Sequence, residues 1–329
     1  MKTETTGSLL RKQQHAPLWL VVAAFAAVYT IWGSTYLGIR YAVQTIPPFM
    51  MAGSRQLAAG IFLFAFSRFR GAAKPSLIEW RDAAIAGTLM LTIGNGGVSW
   101  AEQRIPSGMA ALLVALTPLW MALADWLRPR GKRPTLIITA GLLLGIAGVA
   151  LLARLGEHRE AAYGWSVAAL LASSIGWACG SIFSRSARKP ASAFLGVAMQ
   201  LLAGSAGLFV LAGARGEFGQ FAFSHVTALS FGSWLYLVIA GSLVGYTAYV
   251  WLLHVSTPAR VSTYAYVNPL IAVLLGCTLG HEVFSHEMLL AAVIIIASVV
   301  LIVRGGNRTA AEKGAKQTVV ESVAAPISE

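Results

Sequence analysis

Charge is what this chain has least of. Only 12% of its residues are Asp, Glu, Lys or Arg, where soluble domains carry near a quarter. A surface solvated on every side cannot be built from so few charges. Acids are the scarcer sign, 13 against 25 Lys and Arg, and none falls in the middle third of any apolar run. A mid-membrane proton relay of the usual kind is therefore not readable, while facilitated movement and proton exchange through a peripheral acid both stay open. Cys179 and Cys277 are the two cysteines, and both lie inside apolar runs, which excludes a disulfide framework. No phosphate-cradling Gly-x-x-x-x-Gly-Lys-Ser/Thr loop occurs, so nothing in the chain would couple ATP hydrolysis to work. There is no Gly-x-Ser-x-Gly elbow. His281-Glu282-Val283-Phe284-Ser285-His286 spaces its histidines by five rather than four residues, off a common helix face. The expectation is a non-enzyme that needs no cofactor and no metal. A receptor or scaffold is the alternative class; it would need a sensing domain or a large loop, and the longest loop, about 214–229, is short.

What the chain has is apolar length, with 57% hydrophobic residues. Runs near 20 residues match the hydrocarbon core of a bilayer. They read as ten spans at about 17–39, 48–67, 82–101, 107–127, 135–154, 163–184, 192–213, 230–252, 260–279 and 287–304. Turn and charge signals separate them, among them Pro47-Pro48, the basic run Arg128–Pro134 and Ser256-Thr257-Pro258. The first run is too long for a cleaved leader and lacks a clear small-x-small cleavage site, so it reads as a retained span.

The basic excess has a direction. With a cytoplasmic N-terminus, 19 Lys and Arg fall on inner segments and 5 on outer loops, leaving Arg55 inside span 2. That is the positive-inside pattern, and it places both termini in the cytoplasm. The charge orients the protein in a bilayer and calls for no nucleic acid.

The spans form two sets of five. Ser107-Gly108-Met109 through Thr117-Pro118 can be laid over Pro258-Ala259-Arg260 through Asn268-Pro269, and Ile31-Trp32-Gly33-Ser34 over Trp177-Ala178-Cys179-Gly180-Ser181. An odd number of spans per copy inverts the second copy, an architecture used by secondary transporters. The expected fold is an all-α polytopic membrane protein of ten transmembrane helices in two inverted five-helix repeats. Residues 1–16 form a cytoplasmic tail, 17–154 and 155–304 the two repeats, and 305–329 a disordered cytoplasmic tail.

Ile31-Trp32-Gly33-Ser34-Thr35-Tyr36, Pro47-Pro48 with Met51-Ala52-Gly53 and Arg55, Leu57-Ala58-Ala59-Gly60, Gly94-Asn95-Gly96, Ile105-Pro106-Ser107-Gly108 and Ser262–Pro269 followed by Gly276 resemble the EamA-type exporters of the drug/metabolite transporter superfamily. Within these the sequence is most similar to the YedA-like drug/metabolite exporters. The resemblance implies ten helices, cytoplasmic termini and efflux of small metabolites across the bacterial inner membrane. It departs from the family in one place. A Gly-Glu pair is expected after the fourth span of each repeat, and only Glu282, after Gly280-His281, stands near such a place.

Several residues could carry the chemistry. Arg55, well inside span 2, costs about 2.5–3.5 kcal/mol in hydrocarbon and demands a partner, either a substrate carboxylate or an internal clamp to Glu102 or to free carbonyls. Tyr264 and Asn268 share one helix face, and Pro269 removes a backbone donor, freeing the carbonyl of Ala265 for Asn268 to cap. Pro118 places a matching kink in span 4, so Pro118 and Pro269 read as hinges. Asn95, within Gly94-Asn95-Gly96-Gly97, is a cavity candidate or a helix-packing residue. Trp32, Tyr36, Trp177 and Tyr246 complete the candidate substrate site, suited to a flat or cationic ligand. Trp19, Trp80, Trp100, Trp234 and Tyr163 read as interfacial belt residues. Gly141-x-x-x-Gly145 and Gly241-x-x-x-Gly245 read as packing seams. The expected function is export of small organic metabolites, amino-acid-like compounds or drugs, by alternating access. The substrate, any proton coupling and the oligomeric state stay unread.

Overall fold

A computed structural model describes residues 17–127, 135–154, 161–256, 258–261 and 263–324. The expected N-terminal tail, the basic run Arg128–Pro134 and the last five residues lie outside them. In chain order the helices are α1 Leu18–Ala42, α2 Pro48–Phe69, α3 Leu77–Gly87, α4 Gly96–Ala101, α5 Ser107–Val114, α6 Thr117–Trp126, α7 Leu136–Arg154, α8 Ala161–Ser186, α9 Ala193–Ala214, α10 Glu217–Gln220, α11 Ala228–Tyr236, α12 Thr247–Val255, α13 Pro258–Val261, α14 Tyr264–Thr278 and α15 His286–Ala324. Two π-helical stretches, Thr88–Asn95 and Leu237–Tyr246, join α3 to α4 and α11 to α12.

Among the described residues, seven helical stretches are long and apolar enough to cross a membrane: Leu18–Ala42, Pro48–Phe69, Ser107–Ala124, Tyr163–Ser186, Ala193–Ala214, Ala228–Val255 and His286–Gly305. Leu136–Leu151 and Tyr264–Thr278 are apolar but shorter. The expected third span is one continuous helical rod, α3, π stretch and α4 end to end.

Local chemistry sets the ends. Pro48 opens α2 where its missing N–H is not needed. Ser76 and Glu79 form a reciprocal capping box on α3. Ser192 and Thr227 cap α9 and α11 with their hydroxyls. The last helix runs on to Ala324 through residues expected to be a disordered tail. Its Ala310-Ala311-Glu312-Lys313 and Ala315-Lys316-Gln317 are strong helix formers, and low hydrophobicity alone does not forbid a helix.

The packing reads the same with the two halves exchanged. α2 lies along α9, and α7 along α15. α1 packs on α14, as α8 packs on α5 and α6. The first π stretch packs on α8, and the second on α1. Small residues allow the close approaches. A Cβ on Gly141 would stand 2.7 Å from Ile302 Cγ1, and Ser298 Oγ donates to Gly141 O at 2.7 Å. That is the packing role expected of Gly141 and Gly145. Tyr163 departs from expectation: it is buried and its hydroxyl meets Met109 Sδ at 2.8 Å, so it is a core residue.

Carboxylates tie the halves together. Glu217 accepts from Phe49 N at 3.3 Å and Met50 N at 2.8 Å, at the start of α2. Asp82 accepts from Arg188 N at 2.8 Å, just ahead of α9. These are exchanged roles, each half closing a backbone end of the other. Glu282 accepts from Ser107 N at 2.7 Å and Gly108 N at 3.4 Å, at the start of α5.

Candidate functional site

One central cavity is lined by Trp32, Tyr36, Arg55, Asn95, Trp177, Tyr246, Tyr264 and Asn268, all eight of the expected site residues. They come from α1, α2, the two π stretches, α8 and α14. The free volume is about 60 Å³, room for roughly two waters. The side chains nearly fill the space they enclose.

Aromatic rings make one wall. Trp32 meets Trp177 edge to face at 5.3 Å between centroids and Tyr264 at 5.7 Å. Trp177 meets Tyr246 at 6.2 Å. Behind them sits Tyr249, fully buried, 4.8 Å from Trp32 and 5.7 Å from Tyr264. Its hydroxyl takes the indole N–H of Trp177 at 3.1 Å and lies 2.7 Å from Ser181 Oγ. Tyr246 donates to Gln200 Oε1 at 2.7 Å. These bonds fix ring planes, so the wall is preorganised.

The opposite wall is polar. Arg55 is 5% exposed, and its Nε donates to Ser242 Oγ at 3.1 Å. Ser242 donates onward to Gln56 Oε1 at 3.0 Å. Arg55 Nη1 and Asn95 Oδ1 are buried without a hydrogen-bond partner among the described residues. The expected clamp between Arg55 and Glu102 is not made: no ion pair joins them within 4.0 Å among the described residues. Glu102 follows the end of α4, and its side chain stops short of the guanidinium. A charged donor and a neutral acceptor thus stand ready beside an aromatic face, a set able to orient a small polar molecule.

The two prolines are accommodated in different ways. The helix breaks at Ala115 and Leu116, and Pro118 sits in the first turn of α6. Pro269 lies inside α14, which continues through it. Asn268 does not cap Ala265. In the amide orientation that satisfies both contacts, its Nδ2 donates to Tyr29 O and Tyr264 O, each at 3.2 Å. The side chain holds α14 against α1 rather than mending the gap left by Pro269.

Sequence reasoning missed several polar contributors. Thr35, Gln56 and Ser173 line the cavity, and Ser242 holds Arg55. Gly241 and Gly245, assigned to packing alone, also serve the site. Gly241 lines the cavity and its carbonyl accepts from Trp32 Nε1 at 3.4 Å. A Cβ at Gly245 would stand 2.6 Å from Trp32 Nε1. The signal was present as glycines flanking polar and aromatic residues in both spans that hold a π stretch. Both π stretches end at site residues, Asn95 and Tyr246. Such stretches recur at functional sites, where the changed hydrogen-bond register re-aims side chains.

Residues 17–154 and 164–304 each match the EamA-like transporter family. The chain belongs to that family. It is 39% identical over 281 residues to the uncharacterized inner membrane transporter YedA of Escherichia coli (strain K12), covering 84% of this chain and 87% of that protein. It is 28% identical over 270 residues to protein PecM of Dickeya dadantii (strain 3937), covering 80% and 85%. It is 28% identical over 152 residues to a probable terminal-alkyne amino-acid exporter of Streptantibioticus cattleyicolor, covering 45% and 50%. A solved crystal structure 19% identical in sequence shares the fold, with a TM-score of 0.61 over 86% of this chain and 97% of that one. The EamA-like chain is a multi-pass membrane transporter built from two copies of one family domain.

Proposed function

We propose that this chain exports small organic metabolites across the bacterial inner membrane by alternating access, through the cavity shared by its two halves. In this reading ten spans form two inverted five-helix repeats with both termini cytoplasmic. The tails are 1–16 and 305–329, and the repeats 17–154 and 155–304. The observation that carries the reading is that Trp32 and Trp177, the same landmark in each half, meet in the cavity wall. A site at the junction of two repeats is where a carrier binds its substrate. The reciprocal packing and the paired π stretches support the same view. A cavity of about 60 Å³ is below the several hundred Å³ of a typical ligand pocket, so a substrate enters when the halves rock apart. Arg55 suits a carboxylate, and the rings suit a flat or cationic body. An amino-acid-like compound has both, and one relative is named as an amino-acid exporter.

The test is flux. Purified protein in proteoliposomes is given a pooled panel of amino acids, their derivatives and cationic dyes, with and without an imposed proton gradient. Counterflow above that of empty liposomes is expected for at least one compound. Folded protein that moves none of them would sink the reading and raise the receptor or scaffold class.

A further inference from the structure

Glu102 is fully buried, and neither carboxylate oxygen has a hydrogen-bond partner among the described residues. Its neighbours explain why. Arg40 lies beside it, but its Nη1 is spent on two backbone carbonyls, Glu102 O at 2.7 Å and Ile105 O at 3.1 Å. The Nε of Arg40 pairs with Glu282 Oε1 at 3.4 Å. Glu282 is thus fully answered, by Arg40 and by the N–H groups of Ser107 and Gly108. Arg55 gives its Nε to Ser242. The ionisable groups facing Glu102 are Tyr36 and Arg40 on α1, Arg55 on α2 and Glu282 in the loop before α15. Packed beside it, α5 carries none.

An ionised carboxylate buried with no donor costs several kcal/mol, which is why such groups neutralise instead. We propose that Glu102 is a proton-binding site one helical turn beyond the cavity wall: it is protonated in this conformation, leaving Arg55 free for an anionic group of the ligand. Glu102 follows Val98, a cavity residue, by one helical turn, its N–H donating to Val98 O at 3.0 Å. On release the proton passes from the carboxyl oxygen to water, and the carboxylate so formed takes an N–H from Arg55. A ligand anion and Glu102 then compete for the same guanidinium. A proton on Glu102 therefore favours a ligand carboxylate on Arg55, and by reciprocity the carboxylate favours the proton. As a coupling proton the assignment rests on the carrier reading above; as a protonated buried acid it stands without it.

Infrared spectroscopy of the full chain in lipid nanodiscs separates the two. The wild type minus Glu102→Gln difference spectrum should show one protonated-carboxyl stretch at neutral pH. Glutamine keeps the shape and the neutrality, so that variant folds. Titrating the band away should need higher pH in Arg55→Gln, with Arg55→Lys returning it toward wild type. A difference spectrum holding only carboxylate bands overturns the proposal. So does a titration indifferent to Arg55→Gln in folded protein; should that variant not fold, the Glu102→Gln difference decides alone. Flux without the band would refute the proton site and leave the carrier. The band without flux would do the reverse.

Discussion

Trp32 and Trp177 meet edge to face with ring centroids 5.3 Å apart, each from the same landmark of its own half. Both rings line the cavity, and this contact forms only when both halves are present. Such a pair contributes about 0.5–1.5 kcal/mol beyond the area it buries. A double-mutant cycle of Trp32→Leu and Trp177→Leu, read by denaturation in detergent, should give a coupling near 1 kcal/mol. Strict additivity would show that the contact does not join the halves.

Arg55→Ala should lower flux far more than folded yield. Among the described residues the guanidinium bonds Ser242 and keeps Nη1 unpaired, so its loss leaves little unpaired but removes the charged donor. Parallel losses in extracted protein and in flux would make Arg55 a structural residue.

Tyr264→Phe and Asn268→Ala should change apparent affinity. They differ in stability. Asn268 ties α14 to Tyr29 O, and losing that donor should cost about 1 kcal/mol in a melting assay. Concentration dependence unchanged for several substrates would remove both from the cavity wall.

Gly245→Ala should push the Trp32 indole aside, because the new methyl would stand 2.6 Å from Nε1. Restoring ordinary contact moves the ring by about 1 Å, and flux in proteoliposomes should fall. Tryptophan emission should shift in the same variant. Normal flux with unaltered emission would mean the helices slide to make room.

Glu282→Ala should destabilise by about 1–2 kcal/mol, since it removes the acceptor at the start of α5 together with the partner of Arg40. Glu282→Gln keeps an acceptor and should cost less. Equal melting temperatures for both variants and the wild type would deny the cap any role in stability.

Much of the site was legible because polar and aromatic residues inside apolar runs are expensive to keep there. Arg55, Asn95 and Asn268 announce themselves by that cost, and all three line the cavity. Register was not legible. A π stretch bonds five residues back where an α-helix bonds four, and the choice at Thr88–Asn95 is made by packing against α8 and α9. Tyr249 was missed because its apolar run gives no hint of which face turns inward. The Arg55–Glu102 clamp was expected from depth alone. Depth does not report that Ser242 takes the Nε, or that Arg40 is held by carbonyls. Tyr163 was placed at the interface by its position near a span end, whereas Met109 draws it into the core.

Glu217 and Glu282 both come from the second half of the chain, and both close helix starts in the first. Translation makes those carboxylates last. While the ribosome is still working, α2 and α5 wait in the bilayer with open amide ends that no residue yet synthesised fills in this way. The first repeat expressed alone would keep those ends bare. Supplying the second repeat as a separate chain would restore them, so the molecule should tolerate a cut between its halves far better than the loss of either.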